Sequence, residues 1–100
     1  MIHHIVFFNF RDEALGATKA QNMAHAKEIL EALMGKVPTL RSMLAGTNVV
    51  PSEAAWDFAL VSTFDDAEGL QAYVVHPEHK KVGEFIGQVR TDRASVDFEF

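Results

Sequence analysis

The chain has 100 residues, 48% of them apolar and 23% charged, the proportions of one globular domain spanning residues 1–100. The absence of cysteine excludes disulfides, thiolate metal sites and a cysteine nucleophile, and the net charge of −5 argues against nucleic acid as a partner. The sequence shows no signal-peptide pattern and no apolar run of membrane-spanning length, so we expect a cytoplasmic protein without a membrane partner.

The first third of the chain predicts a strand followed by a helix. Residues 2–10 are rich in Ile, Val and Phe, which is typical of a strand. Thr18 and Gln21 have the spacing of a capping box at a helix start, and Gly35 and Pro38 indicate where the helix ends. Between them, apolar residues recur at three- and four-residue steps and predict one buried side of a helix. These residues are Met23, Ala26, Leu30, Leu33, Met34 and Val37.

The middle of the chain predicts two further strands, at residues 43–50 and 56–64, with a turn at residues 51–53. Asp65 and Glu68 then repeat the spacing of a helix start and predict a short helix that runs to Tyr73.

The C-terminal part predicts one more helix and one more strand. Pro77 suits the first turn of a helix, where its missing N–H costs nothing. The buried face of that helix is predicted to carry Val82, Phe85, Ile86 and Val89. Residues 95–100 alternate between polar and apolar side chains and predict the last strand.

The predicted order is therefore β-α-β-β-α-β, with the second helix interrupted near His76 and Pro77. This order is that of the ferredoxin-like α+β fold, an antiparallel sheet with both helices on one face.

The predicted strands are apolar on both sides. In the first strand, His4, Val6, Phe8 and Phe10 share one side, and Ile5 and Phe7 share the other. In the third strand, Trp56, Phe58, Leu60 and Phe64 share one side, and Ala59 and Val61 share the other. Helices can cover only one face, so we expect a homodimer through the helix-free sheet face. The alternative is a monomer whose loops shield that face.

The segment at residues 73–82 is the most informative for function, because two histidines flank a proline at a predicted helix start. His79 lies three residues before Val82 and seven before Ile86, at the top of the buried helix face and directed towards the sheet. Tyr73 ends the preceding helix near the same point. His4 approaches the same pocket if its strand side is the one that the helices cover.

Such a cluster could perform general acid–base catalysis. A partly buried imidazole can take a proton from an activated carbon, and a tyrosine hydroxyl can hold the carbonyl oxygen. The sequence predicts an apolar pocket for a small hydrophobic ligand, with His76 at its edge. The predicted apolar lining residues are Val6, Phe8, Phe58, Leu60 and Phe85.

Structural roles for the same residues stay open. His76 can be a helix cap, and His79 can be a core histidine bonded to a backbone carbonyl. A metal site is not expected, since His76 and His79 are two ligands at i and i+3 with no evident third.

The chain resembles the stress-responsive A/B barrel (Dabb) family of dimeric α+β barrels nearly from end to end. The motif Tyr73-x-x-His76-Pro77-x-His79 is the most specific match. The other matching segments are residues 4–12, Val37-Pro38, Gly46-Thr47-Asn48, residues 58–64, the continuation to Val82, and residues 96–98. The resemblance implies a homodimer in which two sheets form a barrel, and no cofactor.

In polyketide-cyclase members of that family, the tyrosine and second histidine of the motif act with a histidine of the first strand. Carried over, the resemblance implies catalytic roles for Tyr73, His79 and His4. The chain differs from those members in the bulk of its predicted pocket, which Phe58, Phe8 and Phe85 would narrow. This disfavours a large polyketide substrate.

Three functions are therefore in competition. The first is a cofactor-independent enzyme that acts on a small hydrophobic carbonyl compound, with His79 as base, Tyr73 as oxygen donor and His4 as support. The second is a non-enzymatic stress-associated or ligand-binding dimer whose histidines are structural. The third is an assembly module, for which no sequence feature argues.

Overall fold

The computed structural model describes residues 1–100 as six strands and three helices. They are β1 (Ile2–Phe10), β2 (Glu13–Ala14), β3 (Ala17–Thr18), α1 (Lys19–Glu31), β4 (Ser42–Thr47), β5 (Phe58–Phe64), α2 (Ala67–Val75), α3 (Pro77–Val89) and β6 (Arg90–Glu99).

Four strands form an antiparallel sheet in the order β4-β5-β1-β6. On the central strand β1, Val6 lies opposite Leu60 of β5 and Ser95 of β6. The arrangement confirms the predicted ferredoxin-like α+β fold, and the second predicted helix is divided into α2 and α3 at His76. No helix of the chain combines the length and apolar character that crossing a membrane requires.

The helices cover one face of the sheet, and the core lies between them. Along β1, the side that carries His4, Val6 and Phe8 is buried, whereas Ile5 and Phe7 on the other side are only partly covered. The helices contribute their apolar stripes to the same core. Their buried side chains are Met23, Ala26 and Leu30 from α1, Tyr73 from α2, and Val82, Ile86 and Val89 from α3.

Helix α1 begins as predicted and ends earlier. Thr18 and Gln21 form the reciprocal capping box, but the helix stops at Glu31. The predicted apolar stripe includes Met34, but this residue is 43% exposed. It is exposed because the chain leaves the helix axis in successive turns before Gly35, whose φ is 96°.

A short hairpin, β2-β3, was not predicted. Its two central residues, Leu15 and Gly16, have φ of 53° and 74°. Two successive positive φ values are typical of a type I′ hairpin turn, in which leucine is uncommon. The turn therefore has no clear signature in the sequence.

The boundaries of the middle strands also differ from those predicted. Strand β4 ends at Thr47, and the irregular connection to β5 includes Trp56, which was predicted inside the strand on the side of Phe58. The Trp56 ring instead lies 6.2 Å from the ring of Phe7, which belongs to the helix-free face. A reciprocal pair of hydrogen bonds fixes this connection, from Asp57 N to Asn9 Oδ1 and from Phe10 N to Asp57 Oδ2.

Two further corrections concern the ends of α2 and β6. Asp66, rather than Asp65, caps α2 by accepting a hydrogen bond from Gly69 N, and Asp65 forms an ion pair with Arg41. Strand β6 begins at Arg90, five residues before the predicted start, and its charged first half pairs with the end of β1.

Candidate active site

A cavity of about 190 Å³ lies between the helix-covered face of the sheet and the helices α2 and α3. Its polar lining consists of His4, Tyr73 and His79, together with Arg90 and Arg93. The three residues for which the sequence predicts catalytic roles therefore meet at one cavity. Strand β1 contributes the first, the last full turn of α2 the second and the first turn of α3 the third.

Tyr73 is 1% exposed and lines the cavity, and its hydroxyl forms no hydrogen bond within the protein. Its ring packs 5.0 Å from Phe64 and 4.2 Å from His79, measured between ring centroids. Burial raises the pKa of Tyr73, so the hydroxyl stays protonated across the physiological range. It is a hydrogen-bond donor without an acceptor at the wall of the cavity.

His79 is tied to the backbone through one ring nitrogen. Its Nδ1 lies 3.1 Å from the carbonyl oxygen of Val74, and because a carbonyl only accepts, Nδ1 carries the hydrogen. In the neutral ring, Nε2 therefore holds the lone pair. Burial lowers the pKa of His79, the bond to Val74 opposes this, and the charges of His4, Arg93 and His76 lower it further. The ring is thus held as a neutral base.

His4 is buried on β1, and its ring is held by the neighbouring strand. Its Nδ1 hydrogen-bonds to Oδ1 of Asp97, which lies directly opposite it on β6. Its ring centroid lies 6.2 Å from that of Tyr73. A carboxylate that holds an imidazole fixes the orientation of the ring.

The apolar wall of the cavity corresponds only in part to the predicted wall. Val6, Phe8 and Leu60 line the cavity. Phe58 does not, because its ring fills the core against Phe8 and Phe10 at 6.3 and 5.5 Å between centroids.

Phe85 and His76 also lie away from the cavity. Phe85 is on the flank of α3 that faces α1, where its ring meets His25 edge-on at 4.7 Å. His76 caps α3, since its Nδ1 accepts a hydrogen bond from Glu78 N at 3.1 Å. The prediction that these two residues border the ligand pocket is therefore corrected.

Sequence reasoning missed Asp97, Arg90 and Arg93. Asp97 could have been paired with His4 only from the register of β1 and β6. Arg90 and Arg93 precede the alternating pattern that marked the last strand, and a charged segment does not predict a strand. No group of three or more His, Cys, Asp or Glu side chains lies close enough together to hold a metal ion.

A larger concavity, of about 780 Å³, lies on the opposite face of the sheet. Its floor includes Phe7, Leu44 and Val61, and it has no ionisable side chain in its lining. Leu44 is 70% exposed there, and Val96 and Phe98 extend the apolar surface along β6. These features are those of an uncovered sheet face rather than a site for proton transfer.

The lowered pKa of His79 predicts a dependence of folding stability on pH. The unfolded chain binds a proton at this residue near pH 6.5, whereas the folded chain does so only at lower pH. The unfolded state therefore holds more protons in that window, and the free energy of unfolding falls as the pH falls through it. Urea unfolding across this pH range should show a smaller fall in the free energy of unfolding for His79→Gln than for wild type. His25→Gln, which replaces an exposed histidine, is the control and should behave as wild type does. Identical pH profiles for wild type and His79→Gln would contradict this.

Comparison with known proteins identifies the family to which the chain is similar and similar solved structures. The model of the family described as "Stress responsive A/B Barrel Domain" matches residues 2–100. An uncharacterized protein of Streptomyces coelicolor is 35% identical over 80 residues, which is 80% of each chain.

Two similar crystal structures are described as dimeric, ferredoxin-like proteins of unknown function. The one from Bacteroides fragilis is 37% identical, with a TM-score of 0.88 over 99% of this chain and 95% of that one. The one from Thermobifida fusca is 26% identical, with a TM-score of 0.84 over 99% and 90% of the two chains.

Proposed function

The chain belongs to the stress responsive A/B barrel domain family, and on that premise we propose that it is a homodimer that binds a small apolar carbonyl compound and moves protons on it without a cofactor. The observation that carries the proposal is the Tyr73 hydroxyl, which belongs to a buried side chain at the cavity and forms no hydrogen bond within the protein. A ligand oxygen in the cavity would supply the acceptor that this donor lacks within the protein.

Tyr73 and His79 have complementary protonation states. The environment raises the pKa of the tyrosine and lowers that of the histidine, so one keeps its proton and the other is free to accept one. Neighbouring groups whose pKa values are moved apart in this way are suited to acid–base roles. The ring centroids lie 4.2 Å apart, so one small ligand can contact both side chains.

In the proposed reaction, Nε2 of His79 takes a proton from the carbon next to the ligand carbonyl. The electron pair of the broken C–H bond forms the carbon–carbon double bond of an enolate, and the charge that develops on oxygen is stabilised by the Tyr73 hydroxyl. The proton returns from His79 to carbon when the enolate collapses. His4, oriented by Asp97, supports the oxygen side of the site.

The volume of the cavity limits the ligand. About 190 Å³ corresponds to roughly six waters of bulk liquid, at about 30 Å³ each. This is below the usual range for drug-sized ligands, so a compound with one short chain or one ring fits better than a long polyketide.

Homodimerisation is proposed through the helix-free face. Val61 in the middle of this face is 38% exposed, and Leu44 and Val96 at its edges are 70% and 55% exposed. His3 on the same face stacks on Phe100, and its Nδ1 is buried without a hydrogen-bond partner. A second copy of the sheet would cover the apolar side chains. The similar proteins described as dimeric support homodimerisation.

Proton transfer can be tested by deuterium uptake. Phenylacetone incubated with the protein in D₂O should lose its methylene proton signals about a hundredfold faster than in buffer. His79→Gln should reduce the rate to that of buffer, because the base is lost. His25→Gln replaces an exposed histidine and should leave the rate unchanged.

A wild-type rate equal to that of buffer would contradict the catalytic proposal. The non-enzymatic alternative has one specific observation in its favour, the bond from His79 Nδ1 to Val74 O that links α2 and α3. Under that alternative, His79→Gln lowers the free energy of unfolding and no variant changes the exchange rate.

A further inference from the structure

The two arginines at the cavity have no role in the proton transfer described above. Neither Arg90 nor Arg93 takes part in any of the ion pairs or side-chain hydrogen bonds of the protein. Exposed arginines often lack a partner, but these two line the same cavity as Tyr73 and His79. A guanidinium offers a planar set of donors that matches a carboxylate.

A local irregularity of the sheet brings the arginines to the same side. Arg93 lies opposite Phe8 and Arg90 opposite Phe10, so three positions on β6 correspond to two on β1. In a regular strand, residues three apart point to opposite faces. The register shift between Phe8 and Phe10 is a β-bulge, and it allows both arginines to line the helix-covered cavity.

The charge at the cavity opposes that of the whole chain. The protein carries a net charge of −5, whereas the cavity lining contains two arginines and no carboxylate. Asp97 is not part of the lining but is bonded to the lining residue His4. The lining therefore keeps a positive balance even when Asp97 is included and His4 is neutral.

We infer that the ligand carries a carboxylate, which Arg90 and Arg93 bind while the carbonyl oxygen faces Tyr73, so that the substrate class is a small apolar oxo acid. The inference rests on the proposed function for the carbonyl group, but the preference of the arginines for an acid group does not depend on turnover. The arginines hold the carboxylate, and the apolar residues Val6 and Leu60 contact the hydrocarbon part of the ligand. His79 faces the carbon that lies between the carboxylate and the carbonyl group.

Binding of benzoate and of its neutral analogue benzamide tests this inference. Both are titrated into ¹⁵N-labelled protein, and the amide shifts of Gly83 and Gly87, which line the cavity, report occupancy. Benzoate should bind at least about tenfold more tightly than benzamide, because only the anion gains charge-assisted hydrogen bonds. Arg93→Gln and Arg90→Gln should each weaken benzoate about tenfold and leave benzamide unchanged.

Arg11→Gln is the matched control, because Arg11 is exposed, has no ion pair and does not line the cavity. It removes the same charge from the chain and should leave both affinities unchanged. Equal affinity for the two compounds, no effect of the cavity arginines, or no binding of benzoate at millimolar concentration would each overturn the inference. Failure of the proposed function is distinguishable, since it would abolish deuterium uptake by phenylacetone while arginine-dependent binding of benzoate persists.

Discussion

Val61→Asp should convert the proposed homodimer into a monomer at micromolar concentration. Val61 lies on β5, one of the two central strands, and faces away from the helices. In a dimer with two-fold symmetry, the substitution would bury two uncompensated carboxylates, one in each subunit. Each costs several kcal/mol, so the dissociation constant should rise on the order of a thousandfold.

Val75→Asp is the matched control for this prediction. Val75 is 50% exposed at the end of α2, on the side of the molecule that the helices occupy, so the variant should remain dimeric. Sedimentation velocity of the three proteins at equal concentration gives the result. A dimeric Val61→Asp variant would show that the subunits meet elsewhere, and a monomeric wild type would refute the dimer itself.

Tyr73→Phe should separate activity from stability. Removal of the hydroxyl takes away the donor for the developing enolate, and the rate of deuterium uptake should fall about a hundredfold, to the rate in buffer. The free energy of unfolding should stay the same or rise, because the hydroxyl forms no hydrogen bond within the protein. Exchange kinetics and urea unfolding on one preparation measure both quantities.

Tyr73→Ala is the useful contrast, because it also removes the ring that packs against Phe64 and His79. Loss of a buried aromatic ring costs about 3–5 kcal/mol, so this variant should lose stability as well as activity. A Tyr73→Phe variant with the wild-type exchange rate would remove the tyrosine from the mechanism. A large loss of stability in that variant would mean that the hydroxyl has a structural partner.

Much of the fold follows from periodicity in the sequence. The side chains of β1 alternate as predicted between the buried side of Val6 and the partly covered side of Ile5, and Thr18 caps α1. These features depend on neighbours close in sequence, so they can be read without the tertiary structure. Leu15 could not be placed, because its positive φ is imposed by the hairpin that contains it.

The candidate site could be predicted only where a motif marked it. The segment from Tyr73 to His79 has a specific pattern, and the convergence of both residues with His4 followed from the predicted fold. Asp97 and Arg93 were missed because their positions depend on the register between β1 and β6. That register includes a bulge, which leaves no periodic trace in the sequence.

Packing details explain the remaining errors. Phe58 and Phe8 lie opposite each other on neighbouring strands, and both were expected at the ligand. Only Phe8 lines the cavity, since Phe58 is enclosed by Phe8 and Phe10. Which of two adjacent aromatic rings borders a cavity is decided by how they fill space together, and no sequence pattern contains that information.

The protonation state of His79 is the point on which the functional account depends most directly. Long-range ¹H–¹⁵N correlation spectra of the histidine rings, recorded across a pH titration, report which nitrogen carries the proton. We expect a ring that is neutral at neutral pH, protonated at Nδ1 and bare at Nε2, and that becomes charged only below its ordinary pKa of 6.5. A neutral ring protonated at Nε2, or a charged ring at neutral pH, would contradict it.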